Sequence, residues 1–170
     1  MTRVFLSYVV ASALLLTGCA DSPTTEPSPA PVAGVWTGRY REITCTGPAG
    51  TCSTRFKAGE PEYEFTLTLT QTGDDIHGTF DRHSLASEAH ATGDVSGVVA
   101  GVTVQLSGRL QWRAELFPGV QGGMNLDAFH AVVDQSKNAM TGSFHLIHKE
   151  GEAERFRTEC RILSLTRQAL

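Results

Sequence analysis

EYEFTLTLTQT, Glu62 to Thr72, is the stretch from which the architecture follows. Tyr63, Phe65, Leu67 and Leu69 occupy alternate positions, with Glu62, Glu64, Thr66, Thr68 and Thr70 between them. Successive side chains of a strand point to opposite faces, so this pattern predicts a half-buried β-strand, apolar inward and polar outward. The same period returns in VTVQLSGRLQWRA, where Val102, Val104, Leu106, Leu110 and Trp112 share one side and Thr103, Gln105, Ser107, Arg109 and Arg113 the other. After Gly34 no stretch of helical period competes with it.

Turn signals divide the remaining chain into eight strands, expected at 35–45, 62–72, 76–82, 90–99, 102–115, 124–134, 140–148 and 154–167. Short polar connections, GDD at 73–75 and SKNA at 136–139, permit only antiparallel hairpins, so sequential strands pair as a meander. A weak internal repeat agrees with this: QTGDDIHGTF (Gln71 to Phe80) and QSKNAMTGSF (Gln135 to Phe144) share Gln, Gly and Phe at matching offsets. In both, a glycine (Gly78, Gly142) sits early in the second strand, where a missing side chain lets a sheet bend sharply. Closing eight antiparallel strands removes both exposed edges, and eight is the number whose interior just holds side chains or one small ligand. The expected fold is therefore all-β, an eight-stranded antiparallel up-and-down barrel, with a two-sheet β-sandwich as the alternative that satisfies the same alternation.

Ahead of this domain the chain changes character. Met1 to Gly18 carries one charge, Arg3, followed by the uncharged VFLSYVVASALLLTG, a run suited to a signal peptide. Its junction LTGC, Leu16 to Cys19, resembles the lipobox of bacterial lipoproteins, which implies that Cys19 is acylated and becomes the first residue after cleavage. Two or three acyl chains, at about 0.8 kcal/mol per buried methylene, hold a protein on a bilayer that one chain holds only marginally. Ala20, in place of an Asp, points by the same resemblance to the outer membrane, with the domain facing the periplasm or the cell surface. Residues 19–33 continue as CADSPTTEPSPAPVA, rich in Pro, Ser and Thr, and are expected to form a disordered tether. The division is thus 1–18 signal peptide, 19–33 lipidated cysteine and tether, and 34–170 barrel.

Without Arg3, Asp21 and Glu26, the chain's 14 bases and 18 acids become 13 and 16 for the barrel, a balance that offers nucleic acid no general attraction. Outside the cytosol disulfides persist. Besides Cys19 there are Cys45, Cys52 and Cys160, so either Cys45 and Cys52 clip the loop CTGPAGTC or Cys160 joins one of them, leaving one thiol free. There is no second close cysteine pair to complete a zinc site with Cys45 and Cys52.

The first strand opens GVWTGRY, and Gly34 with Trp36 forms a Gly-x-Trp that resembles the start of lipocalin and avidin barrels. The resemblance implies that Trp36 plugs one barrel end and that a basic residue of the last strand, Arg161 or Arg167, lies across it. No counterpart of the second lipocalin motif or of avidin's biotin-binding residues is present, so no ligand is carried over. Small periplasmic metalloprotease inhibitors are also eight-stranded barrels, but they act through a free N-terminus.

Trp36, Tyr40, Tyr63, Phe65, Leu67, Leu106, Trp112 and Phe144 fall on the inward face, where they serve either as core or as the lining of a ligand site. Among six histidines, His77, His83 and His90 flank Asp81 and Glu88, without the spacing of a metal site; His145 and His148 point to opposite faces. No nucleophile elbow or phosphate loop occurs, and Asp127 and His130 fall on opposite faces of one strand, so the expectation is a protein that is not an enzyme and needs no cofactor or metal. The expected function is a membrane-anchored lipoprotein whose barrel binds or carries a small hydrophobic ligand in the cell envelope. The alternative is an envelope protein-interaction or structural module, inhibitor-like or otherwise, with a solid core.

Overall fold

The strands form where the alternation places them: β1 (Gly34–Thr46), β2 (Glu62–Thr72), β3 (Asp75–Ser84), β4 (His90–Ala100), β5 (Thr103–Trp112), β6 (Gly122–Asp134), β7 (Ala139–Glu150) and β8 (Ala153–Arg167). The structure, a computed structural model, describes residues 28–48, 50–52, 62–85, 89–112 and 122–169. Each strand pairs antiparallel with its sequential neighbours, and β1 also pairs with β8, from Trp36 opposite Arg167 to Thr46 opposite Arg157. That last pairing closes the barrel and excludes the sandwich. Residues 1–27, which hold the expected signal peptide, Cys19 and the first part of the expected tether, lie outside the described residues.

Turn chemistry explains the meander. The two-residue connections at 73–74, 101–102 and 151–152 begin with Gly73, Gly101 and Gly151 at φ of 61°, 57° and 60°. A positive φ at the first loop position matches the right-handed twist of paired strands, and glycine adopts it without steric cost. Between β6 and β7 a single 3₁₀ turn, Gln135–Lys137, is capped by Asp134, whose carboxylate accepts from the backbone of Ser136 and Lys137.

Strand-to-strand approach explains the inward glycines. A Cβ on Gly78 would stand 1.9 Å from the Thr68 carbonyl oxygen, and one on Gly142 2.0 Å from that of His130. The sheet bends tightly enough there for a neighbour's backbone to occupy the side-chain position.

Bulges in β6 and β8 reverse the in-out phase. In β6 a bulge between Asp127 and His130, with Ala128 at φ 47°, turns inward-facing Met124 and Leu126 into inward-facing Phe129, Ala131 and Val133. Asp127 and His130 consequently both face outward, not to opposite faces as simple alternation predicts, because the extra residue shifts the phase by one. In β8 an added residue opposite the Arg39–Tyr40 step passes the inward role from Ile162 to Leu165. Val102, expected on the inner face, sits exposed in the β4–β5 turn.

One end of the barrel is closed by the chain that precedes β1. Ala30 and Val32 are buried; the Ala30 amide donates to the Gly101 carbonyl at 2.6 Å, and the Val32 amide to Gln71 Oε1 at 2.7 Å. Gln71 Nε2 donates in turn to the Ala30 carbonyl at 3.2 Å, and the Trp36 indole to the Val32 carbonyl at 2.8 Å. The packed domain thus begins at Ala30 rather than Gly34. Two apolar residues spaced to face the same way, with Gln71 satisfying the backbone between them, suffice to seat a segment whose composition reads as tether.

Candidate functional site

Going up the barrel from that closed end, the predicted lining residues part into three groups. Trp36 belongs to the floor: it is fully buried, with the guanidinium of Arg167 4.7 Å from its ring centroid. Of the two basic residues considered for this position, Arg161 faces outward from β8.

The middle is filled by aromatic rings. Phe65 lies 5.3 Å from Phe80, Tyr40 4.8 Å from Phe144, and Phe129 5.7 Å from Phe144, in stacked and edge-on pairs, with Leu67 and Leu106 buried around them. At such centroid separations the rings are in direct contact, and no apolar ligand fits between them. Tyr40, Phe65, Leu67, Leu106 and Phe144 are core.

The remaining two, Tyr63 and Trp112, are half-buried at the opposite end, beside the strand ends from which the longer connections leave. Between them stands a residue that the sequence reading passed over. Arg82 of β3 is 1% exposed, its guanidinium carbon 4.0 Å from the ring centroid of Tyr63, 5.6 Å from Trp112 and 5.7 Å from Tyr40. Its Nη1 points to the Met124 sulfur at 3.2 Å, a weak acceptor. Glu42, Ser84, Thr158 and Cys160 are buried at the same end.

Burying a charge is costly unless it is paired and hydrogen-bonded. Among the described residues no carboxylate comes within 4.0 Å of Arg82; its charge is met by the faces of Tyr63, Trp112 and Tyr40, by the Tyr63 phenol and, at longer range, by Glu42. Arg82 Nε, Tyr40 Oη and Glu42 Oε1 are buried without a hydrogen-bond partner. Burial drives the Glu42 carboxyl above its ordinary pKa, against the opposing pull of Arg82. It raises the Tyr40 and Tyr63 phenols in the same way. The Cys160 thiol is likewise pushed up, by burial first and by Glu42 second. The guanidinium keeps its proton: burial lowers its pKa, and Tyr40, Tyr63 and Glu42 more than offset that.

Cys45 and Cys52 form a disulfide that clips the chain after β1, and Cys160 is the free thiol. On the outer wall His90 meets Asp81 at 2.8 Å and His83 meets Glu64 at 3.1 Å, so these histidines pair separately with carboxylates, while Glu88 lies outside the described residues. His148 faces inward, stacked on Phe156 at 4.0 Å. A rim depression of about 320 Å³, lined among others by Leu110, Trp112, Met124, Lys149 and Glu152, shares Trp112 and Met124 with the surroundings of Arg82. ELFPGVQGGM, Glu115 to Met124, whose Leu116, Phe117 and Val120 amid Gly and Pro suit a lid over the mouth, a contact patch or a segment that simply packs down, lies mostly outside the described residues.

The in-phase positions carried the missed signal. Arg82 follows Ile76 and Phe80 on the even-numbered face of β3, and Glu42 follows Trp36 and Tyr40 on that of β1; a charge in the inward phase marks a buried charge. Comparison of the chain with protein-family models, with curated proteins and with solved structures finds no match.

Proposed function

We propose that this chain is a lipid-anchored protein of the bacterial cell envelope whose barrel takes a small ligand at the end opposite its N-terminal plug. One observation carries the reading: a fully buried guanidinium, bracketed by half-exposed Tyr63 and Trp112, whose own Nε and two neighbouring oxygens, Tyr40 Oη and Glu42 Oε1, are left unpartnered. Natural proteins pair nearly all buried polar atoms, so such a concentration at one end of a closed barrel marks a place where a partner binds. The packed ring stack moves the ligand from the barrel's middle to its mouth, and reduces it to a small molecule with an apolar body. If Cys19 carries the acyl anchor, the tether joins the barrel at its closed end, and the mouth faces away from the bilayer.

The ring stack also favours a second reading, a solid barrel that contacts another envelope protein through its mouth. Titration of the lipoprotein in non-ionic detergent with a naphthylamine dye separates the two, with detergent alone subtracted. Saturation near one equivalent, with quenching that is lost in Trp112→Phe and kept in Trp36→Phe, supports the ligand site. Absence of saturable binding rejects it in favour of the solid module.

A further inference from the structure

We propose that the ligand's recognised group is a carboxylate, seated on the free Nε edge of Arg82 with Tyr40 Oη beside it; this rests on the mouth-ligand reading above. A guanidinium is a planar fork of five donors. In Arg82 one face is covered by Tyr63, Nη1 meets only a thioether, and Nε is buried without a partner. An acceptor with two coplanar oxygens fits the edge of such a fork, and paired charge-assisted bonds of that kind are the strongest a neutral-pH side chain makes.

The surroundings select a monoanion. The site holds one cation, two phenols and one carboxyl, so a dianion would bring more charge than a single guanidinium balances. Glu42, whose pKa burial raises against the pull of Arg82, has an oxygen of its own unpartnered. The phenol of Tyr40, equally unpartnered, donates to a carboxylate as readily as to water. The ligand's apolar body then extends along Trp112, Leu110 and Met124 into the rim depression, whose border includes Arg109 and Lys149 against the single acid Glu152. That border attracts an anion on approach.

Acids and their isosteric amides test this. Hexanoate, hexanamide, phenylacetate and phenylacetamide are titrated against the full lipoprotein in non-ionic detergent, read by tryptophan fluorescence and thermal shift. The acids are expected to saturate at one site, at least tenfold more tightly than the amides. Arg82→Met should abolish that preference, its fold checked by circular dichroism. Tyr40→Phe, which deletes one oxygen from the ring stack, should weaken the acids several-fold and the amides less, and it carries the test if Arg82→Met does not fold. Equal affinity for acid and amide, or acid binding undiminished in both variants, overturns the carboxylate while leaving the mouth site standing. If neither acid, amide nor naphthylamine dye binds, both proposals fall.

Discussion

Arg167, the last residue of β8, holds its guanidinium 4.7 Å from the ring centroid of Trp36 near the start of β1, and also donates to the Pro31 carbonyl. One side chain thereby joins the two strands that close the barrel to the segment that plugs it. Arg167→Ala removes a cation–π contact and a hydrogen bond, and should lower stability by about 1–2 kcal/mol. Arg161→Ala, on the outer face of the same strand, should stay within about 0.5 kcal/mol of the parent. Urea denaturation of both variants checks the contrast.

Gly78 tolerates no side chain. Its Cβ would fall 1.9 Å from the Thr68 carbonyl oxygen, with the Leu69 Cα at 3.0 Å, so β2 and β3 must separate to admit a methyl group. Gly78→Ala is expected to cost about 2–3 kcal/mol, in the range of overpacked cores. Gly73→Ala meets no atom within 4 Å and bears only the strain of φ 61°, about 1 kcal/mol. Thermal unfolding of the two variants should keep that order.

Glu42 makes stability fall as pH rises. Its folded pKa lies above the ordinary 4.5, so between that value and the folded one the native state binds more protons than the unfolded chain. The contribution is fully present below pH 4.5 and is lost as pH climbs through the folded pKa. Glu42→Gln should flatten this slope and raise the melting temperature at pH 8 more than at pH 5. An unchanged pH profile would show that Glu42 ionises in the folded barrel as freely as in solution.

The disulfide encloses a short loop, Cys45 and Cys52 being seven positions apart. The chain-entropy relation assigns such a closure about 2–3 kcal/mol, so Cys45→Ser with Cys52→Ser should lower the denaturation midpoint accordingly. Cys160, buried and with its pKa raised, should resist iodoacetamide in the native protein at pH 8 and react fully in 6 M guanidinium. Mass spectrometry of the alkylated chain counts the thiol.

Much of the strand plan was legible because its cause is local. A period of two across Tyr63 to Leu69 needs only that one face be dry, and Gly73, Gly101 and Gly151 mark turns by their backbone freedom alone. The eight lining candidates were correctly placed indoors, yet the alternation could not say which would be floor, core or mouth. Trp36, Phe65 and Tyr63 read alike in sequence, and only strand stagger sends them to different heights.

Ala30 and Val32 show the converse. Their neighbourhood of prolines and small polar residues reads as spacer, and their burial depends on Gln71 and Gly101, roughly forty and seventy positions away. The reversals at Ala128 and Leu163 escaped for a related reason. A bulge changes the backbone, and the apolar pattern records it only as a missed beat.

By itself the sequence determined an all-β chain with eight ribbons, one face wet and one dry, and a number of strands that favours closure. Only the tertiary structure decided that Arg82 of β3, Tyr40 and Glu42 of β1, Tyr63 of β2, Trp112 of β5 and Met124 of β6 gather at one end. Alternation is set between adjacent residues, whereas convergence across a barrel is set by register and tilt, which arise only when every strand has found its neighbour.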